Sequence, residues 1–178
     1  EDALNFLSKK KNRILLKLKK HKIRNISVKS LLNGVIVQEN DVITEGREIC
    51  KVATLLEPTE NHWKDLIFAA KCCKHLKSIV IVLAKDNQLL SMGCGQTSRI
   101  DAMEQAVEKA KKYGFDLQGA VMASDAFFPF PDCVEVAERA GIKAVIQPGG
   151  SVKDQESIDF CDANNMAMVI TGIRHFRH

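Results

Sequence analysis

At 178 residues the chain has the length of one domain, with room for a sizeable core. Apolar residues make up 46% and charged residues 27%, an ordinary soluble balance, and no run approaches the roughly 18 apolar residues that span a bilayer. The formal net charge of +4 is uneven: the first 24 residues carry nine basic and two acidic side chains, leaving a small negative balance on the rest.

A basic arm can signal nucleic acid. Here the lysines alternate with Ile14, Leu15, Leu16 and Leu18, the pattern of an edge strand guarded by lysine. Neither nucleic acid nor a membrane is expected as a partner, no signal peptide is visible, and the expected location is the cytoplasm. Six cysteines (Cys50, Cys72, Cys73, Cys94, Cys133, Cys161) show no C-x-x-C spacing and mostly sit in apolar surroundings, where a free thiol acts as a small hydrophobe. No disulfide framework is expected. No zinc site is expected either, because the five histidines make no ligand-spaced cluster with cysteine.

In chain order, residues 1–11 read as a helix with Leu4, Phe6 and Leu7 on its apolar side. Segments 13–18 and 23–28 are strand candidates. Asn33-Gly34 reads as a turn or bulge leading into a strand over 35–38. Residues 42–56 are the least readable part. Pro58-Thr59 then opens a long helix to about Leu76, with Thr59 as N-cap and Trp63, Leu66, Ile67, Ala70, Cys73 and Leu76 at helical spacing. The β-branched run over 78–84 has the composition of a central strand covered on both faces. Asp86-Asn87 turns it back into an antiparallel strand over 88–94.

A helix over 99–112 follows, with Ser98 and Asp101 at capping-box spacing. Strands over 117–122, 143–146 and 167–170 alternate with helices over 131–140 and 152–163, and Ser151 and Asp154 make a second capping pair. From residue 78 the order is β-β-α-β-α-β-α-β. Division falls between lead-in elements over 1–57 and a core over 58–178.

Three loops, over 93–98, 124–131 and 147–151, each join a strand to the next helix, and in an open α/β sheet such loops gather at one edge where ligands bind. The middle loop, Ser124-Asp125-Ala126-Phe127-Phe128-Pro129-Phe130, holds three of the eight phenylalanines. A cluster of this kind can be a hydrophobic plug or a ligand platform. With two helix N-termini and a cationic tail at Arg174-His175-Phe176-Arg177-His178, the composite fits a flat, partly aromatic, anionic small molecule such as a nucleotide or a folate.

Four segments carry a closer resemblance: Gly93-x-Gly-Gln-x-Ser-Arg-Ile100, Met122-Ala-Ser-Asp-Ala-Phe-Phe-Pro-Phe130, Ile146-Gln-Pro-Gly-Gly-Ser151 and the tail from Arg174. Together with Pro58-Thr59 and the Leu32 to Gln38 segment, they resemble the C-terminal part of the bifunctional purine-biosynthesis family that combines AICAR transformylase with IMP cyclohydrolase. The resemblance runs along essentially the whole chain. It implies a cytidine-deaminase-like α/β fold, a mixed sheet with helices on both faces, and mainly the second of two transformylase subdomains. The methionine-free start fits a fragment of a longer chain.

The resemblance also implies site residues. Arg99, Phe127 and Arg174 match AICAR contacts. Ile100, Asp132, Ser151 and Val152 match folate contacts, and Pro129 and Phe130 shape the folate side. The co-substrate implied is 10-formyltetrahydrofolate, with no tightly bound cofactor and no metal, and the active site lies across a homodimer interface. The Lys-His pair of the formyl transfer belongs to the other half, and Lys74-His75 does not stand in that motif. One position departs from the family: Ile79 occupies the place of an asparagine that contacts substrate, and isoleucine cannot hydrogen-bond a carboxamide.

Two rivals remain at this level. A zinc deaminase would share the fold, but its His/Cys ligand set and catalytic glutamate motif are missing. A non-catalytic nucleotide-binding or dimerisation module would accommodate Ile79.

Overall fold

The computed structural model describes residues 2–16 and 25–177. They fall into two compact units, Glu1–Asn40 and Asp41–His178. The first contains a short helix α1 (Asp2–Leu7) and a hairpin of β1 (Ile26–Leu31) and β2 (Gly34–Glu39), paired antiparallel from Ile26↔Glu39 to Leu31↔Gly34. That register makes Leu32 and Asn33 the turn, with Gly34 already the first residue of β2. None of its described residues is buried.

α1 is shorter than the 1–11 expected, and residues 13–16 form no regular structure; the remainder of the expected strand over 13–18 lies outside the described residues. The next strand, as described, runs from Ile26 to Leu31, and residues 23 and 24 of its expected span lie outside the described residues. Its pairing follows the two-residue turn, which fixes register more strictly than composition does.

The second unit holds a six-stranded sheet in the order β3-β8-β7-β6-β4-β5. Its elements are β3 (Lys51–Val52), α2 (Glu60–His75), β4 (Val80–Lys85), β5 (Gln88–Cys94), α3 (Arg99–Lys112), β6 (Val121–Ser124), α4 (Asp132–Arg139), β7 (Ala144–Gln147), α5 (Asp154–Ala163) and β8 (Ala167–Ile170). β6, β7 and β8 are parallel, and β4 runs antiparallel to both β5 and β6. β5 therefore points the same way as β6, β7 and β8. A three-layer α/β core with a mixed sheet is what the sequence led us to expect, and the element order from β4 onward is the expected one.

The two layers follow from the period-2 alternation of the strands. Val80, Val82, Ala84, Val121, Ala123, Ala144, Ile146, Ala167 and Val169 face α2 and its Trp63, Leu66, Ala69, Ala70 and Cys73. Ile81, Leu83, Met122, Val145 and Met168 face the helices α3, α4 and α5, with Phe128 buried among them. The α2 face is paved largely with alanine and valine, so a single helix can lie close to it. The opposite face carries longer side chains and is filled by three helices.

Local chemistry sets the ends. Thr59 Oγ1 accepts from His62 N at 3.2 Å, and Ser98 Oγ accepts from Asp101 N at 3.2 Å, so α2 and α3 start where their caps place them. Gly93 lies against α3: a Cβ there would run into the backbone carbonyl of Ala102. β6 begins at Val121, later than expected, because Asp116 Oδ1 accepts from Gln118 N at 2.9 Å and Ala120 N donates to Leu117 O at 3.0 Å, turning 117–120 into a loop.

α5 likewise starts at Asp154 instead of residue 152. Residues 41–57, placed among the lead-in elements in the expected division, fall in the second unit, where β3 pairs Lys51↔Ile170 and Val52↔Val169. Among the described residues no helix is long and apolar enough to cross a membrane.

Candidate functional site at the strand-to-helix edge

Because β5, β6, β7 and β8 share one direction, their C-terminal ends all open on one edge of the sheet, where β4 also begins. The loops 95–98, 125–131 and 148–153 and the tail after Ile170 therefore converge there, as the sequence order implied. The middle loop is the centre. Phe128 is fully buried and its N–H donates to Gln147 Oε1 at 3.2 Å. That anchor leaves Phe127 half-buried at the surface and Pro129 and Phe130 exposed. The Arg174 guanidinium lies 4.8 Å from the centre of the Phe127 ring. On its other side, Arg174 Nη2 sits 3.2 Å from where a side chain at Gly150 would begin, so Gly150 makes room for it.

Behind this pair, Arg99 is buried and its Nη1 donates to Asp125 Oδ1 and, at 3.2 Å, to Val80 O. Asp125 is wholly buried; its Oδ1 also accepts from Val80 N at 3.2 Å, and its carbonyl accepts from His175 N at 3.1 Å. One residue thus ties together α3, the start of β4 and the tail. Arg99 Nε and Asp125 Oδ2 have no hydrogen-bond partner among the described residues.

The residues for which the resemblance implied folate contacts belong to the same loops and the helix starts that follow them. Phe130 is 52% exposed, with Lys153 Nζ 5.0 Å from its ring centre, and Val152 is fully exposed. Asp132 Oδ1 accepts from Cys133 N at 2.8 Å at the head of α4. Ser151 Oγ accepts from Lys153 N at 3.1 Å. Ile100 is turned partly inward and packs on the core. Ile79 also packs partly on that core, while its N–H and carbonyl pair with Gln96.

In the loops that lead into α5 and α3, four N–H groups that an anion could have used are already occupied. Asp154 Oδ2 accepts from Gly150 N at 2.6 Å and from Ser151 N at 3.1 Å. At the other loop, Gly95 N donates to Lys77 O and Gln96 N to Ile79 O. An internal carboxylate and the extended strand pairing satisfy these groups, and Arg174 and Lys153 bring positive charge to the same edge.

The tail is held by residues the sequence left without a role. His175 is buried, with Nδ1 2.6 Å from Asp41 Oδ2 and Nε2 hydrogen-bonded to Glu45 Oε1. Lys74 donates to Ile43 O and to Thr44 Oγ1 at 3.0 Å, and lies 3.9 Å from Asp41. Burial pushes the His175 pKa down, but its hydrogen bonds to Glu45 and Asp41 and their charges outweigh it and the net shift is upward. Burial pushes Glu45 up, but the His175 hydrogen bond, its own backbone N–H and the charges of His175 and Lys74 hold it below the usual carboxylate value. Glu45 stands in the unreadable 42–56 segment and Asp41 just ahead of it, and no local signal pointed to either. Asp125 was visible only as part of a Ser-Asp pair.

A separate depression, lined by Arg47, Trp63, Lys64, Ile67, Lys71 and Asn87, follows α2 toward the β4–β5 turn and shares no residue with this edge. All six cysteines are free, and among the described residues no group of three or more His, Cys, Asp or Glu side chains could hold a metal.

The fold is that of an α/β protein whose strand-to-helix loops gather at one sheet edge, and the match to known families is specific. The family model described as AICARFT/IMPCHase bienzyme matches residues 1–109, and the chain belongs to that family. It is 57% identical over 177 residues to the bifunctional purine biosynthesis protein PurH of Bacteroides thetaiotaomicron, covering 99% of this chain and 35% of that protein. The PurH proteins of Caldicellulosiruptor saccharolyticus and Aquifex aeolicus are 52% and 46% identical, covering 100% of this chain and 34% and 35% of those proteins. The chain thus spans about a third of the length of these relatives.

Among solved structures, it is similar to a cyanophage S-TIM5 dCMP deaminase in apo form, at TM-score 0.43 and 16% identity over 63% of this chain and 98% of that one. A Thermotoga maritima diaminohydroxyphosphoribosylaminopyrimidine deaminase/reductase gives TM-score 0.41 and 20% identity over 61% of this chain and 34% of that one.

Proposed function

We propose that this chain supplies one half of an AICAR transformylase site within a longer bifunctional enzyme of purine biosynthesis. The reaction would move the formyl group of 10-formyltetrahydrofolate onto the 5-amino group of AICAR. The observation that carries this reading is Arg174 lying over Phe127 beside Gly150, at the edge where the strand-to-helix loops converge. An aromatic face with a guanidinium beside it suits a phosphorylated five-membered heterocycle. Arg99 takes part by fixing Asp125 and the start of β4. The exposed Phe130 and Val152, with Lys153, Asp132 and Ser151 beside them, form an apolar and polar shelf for a pteridine and its acidic tail.

The Lys-His pair of the chemistry would come from the other half, across a homodimer interface. The site assembled here positions the substrate and leaves proton transfer to that partner half. Purified by itself, the 178-residue chain is expected to show no formyl transfer, whereas the full-length parent assayed with AICAR and 10-formyltetrahydrofolate turns over. In the parent, Arg174→Ala and Phe127→Ala are expected to raise the KM for AICAR about 10-fold or more, the scale of one lost charge or stacking contact. Turnover by the isolated chain, or an unchanged KM in both variants, would overturn the proposal.

A second reading, a non-catalytic nucleotide-binding or dimerisation module, is favoured by one observation. Ile79 stands at the edge of the site where the family has an asparagine. Its side chain packs on the core and offers no hydrogen bond. Ile79→Asn in the parent separates the two: a large gain in formyl transfer marks a degenerate site, and an unchanged rate in an active parent marks a site that works with isoleucine.

A further inference from the structure

The four-residue cluster under the tail lies outside the ligand edge, yet it determines where Arg174 sits. We propose that His175 is a positioning residue: gripped as an imidazolium between Asp41 and Glu45, it clamps the tail so that Arg174 lies over Phe127.

The geometry carries this in three steps. First, each ring nitrogen of His175 faces a carboxylate oxygen, Asp41 at Nδ1 and Glu45 at Nε2. A neutral imidazole has one N–H and would leave one of these pairs as two acceptors facing each other; the doubly protonated ring donates to both. Second, the clamp is reinforced along the backbone. His175 N donates to Asp125 O at 3.1 Å, Ser78 Oγ donates to His175 O at 3.4 Å, and Arg177 N donates to Ser78 Oγ at 3.1 Å. Third, the neighbouring residue is Arg174, itself exposed, so its position over Phe127 rests on the anchoring of His175.

The charged groups around the ring are Asp41 and Glu45 from the segment before β3, Lys74 from α2, and Arg174 and Arg177 of the tail itself. Lys74 lies 3.9 Å from Asp41, and its charge favours the ionised form of Glu45, which in turn favours the imidazolium. The clamp is therefore closed while His175 is charged and loosens as pH rises through its raised pKa.

The positional claim stands on this geometry alone; only its consequence for AICAR rests on the function proposed above. A ligand-free test uses trypsin, which cuts after Arg174 only when the tail leaves its seat. Cleavage at that bond is followed by mass spectrometry between pH 7 and 9, normalised to a reference peptide carrying the same Arg-His bond. In the wild-type chain, normalised cleavage is expected to rise with pH. In His175→Gln it is expected to be at least 5-fold faster at pH 7 and flat with pH. Asp41→Asn, whose target is less buried, is the second variant should His175→Gln fail to fold, and is expected to move the rise to lower pH. Normalised cleavage flat with pH in the wild type, or a folded His175→Gln or Asp41→Asn chain cut at the wild-type rate and with the wild-type profile, would overturn the proposal. In the parent enzyme, His175→Gln should raise the KM for AICAR with kcat largely kept, which a general loss of stability would not produce.

Discussion

Asp125 shows how much a single buried side chain decides here. It offers a carboxylate to Arg99 and Val80 N and its carbonyl to the tail, so it joins three segments that are far apart in sequence. Removing one partner of a buried ion pair leaves the other charge uncompensated, which typically costs about 3–5 kcal/mol. Asp125→Ala should therefore lower the unfolding free energy by about that much in urea denaturation, while Asp125→Asn, which keeps an acceptor for Val80 N, should lose less. If the two variants are equally stable, the acceptor kept by asparagine contributes nothing and the charge on Asp125 alone makes the hub. Phe127 and Phe128, neighbours of opposite fate, make the complementary point. The same side-chain chemistry is core at one position and surface at the next, because Gln147 fixes the backbone between them.

At the scale of elements, the hairpin of β4 and β5 depends on a helix. Its turn residues Asp86 and Asn87 have φ of 53° and 56°, a left-handed pair that suits a tight hairpin turn. Their N–H groups point at Asp65 of α2, which accepts them at 3.0 Å and 2.7 Å. A buried carboxylate therefore pins the far edge of the sheet to the helix that covers it. Asp65→Ala would leave two N–H groups unsatisfied, and a loss of about 1–3 kcal/mol is expected from thermal or urea unfolding. Hydrogen exchange at Asp86 and Asn87 should speed up in the same variant; unchanged exchange would mean that the turn holds itself.

The His175 cluster makes the stability of the molecule depend on pH in both directions. His175 has a raised pKa when folded, so its contribution is fully present below the free-histidine value of about 6.5 and is lost as pH rises through the folded value. Glu45 has a depressed pKa, so its contribution is fully present above its ordinary value of 4.5 and is lost as pH falls through the folded value. Both contributions are complete only between those two ordinary values. The melting temperature should peak in that interval and fall on either side, and His175→Gln should remove most of the decline on the alkaline side. A wild-type profile that keeps rising above pH 7 would contradict the charged clamp.

The sequence by itself determined the elements whose signals are local. α2, α3, β5 and β8 lie where cap residues and apolar periodicity put them, and the order from β4 onward gave the three-layer core and the shared edge. The four motifs gave the family. Tertiary structure decided what depends on partners distant in sequence. β1 is set by its register with β2, and β3 is a strand only because β8 is there to pair with it. The loop N–H groups ahead of α5 and α3 are taken up by Asp154 and by strand pairing. Asp41, Glu45, Asp125 and His175 became a working set only when the tail was brought back across the end of α2. The physical reason is the same in each case: hydrophobic periodicity and capping are read over a few residues, whereas a buried charge or an edge strand is stable only in the company of groups that the chain supplies from elsewhere.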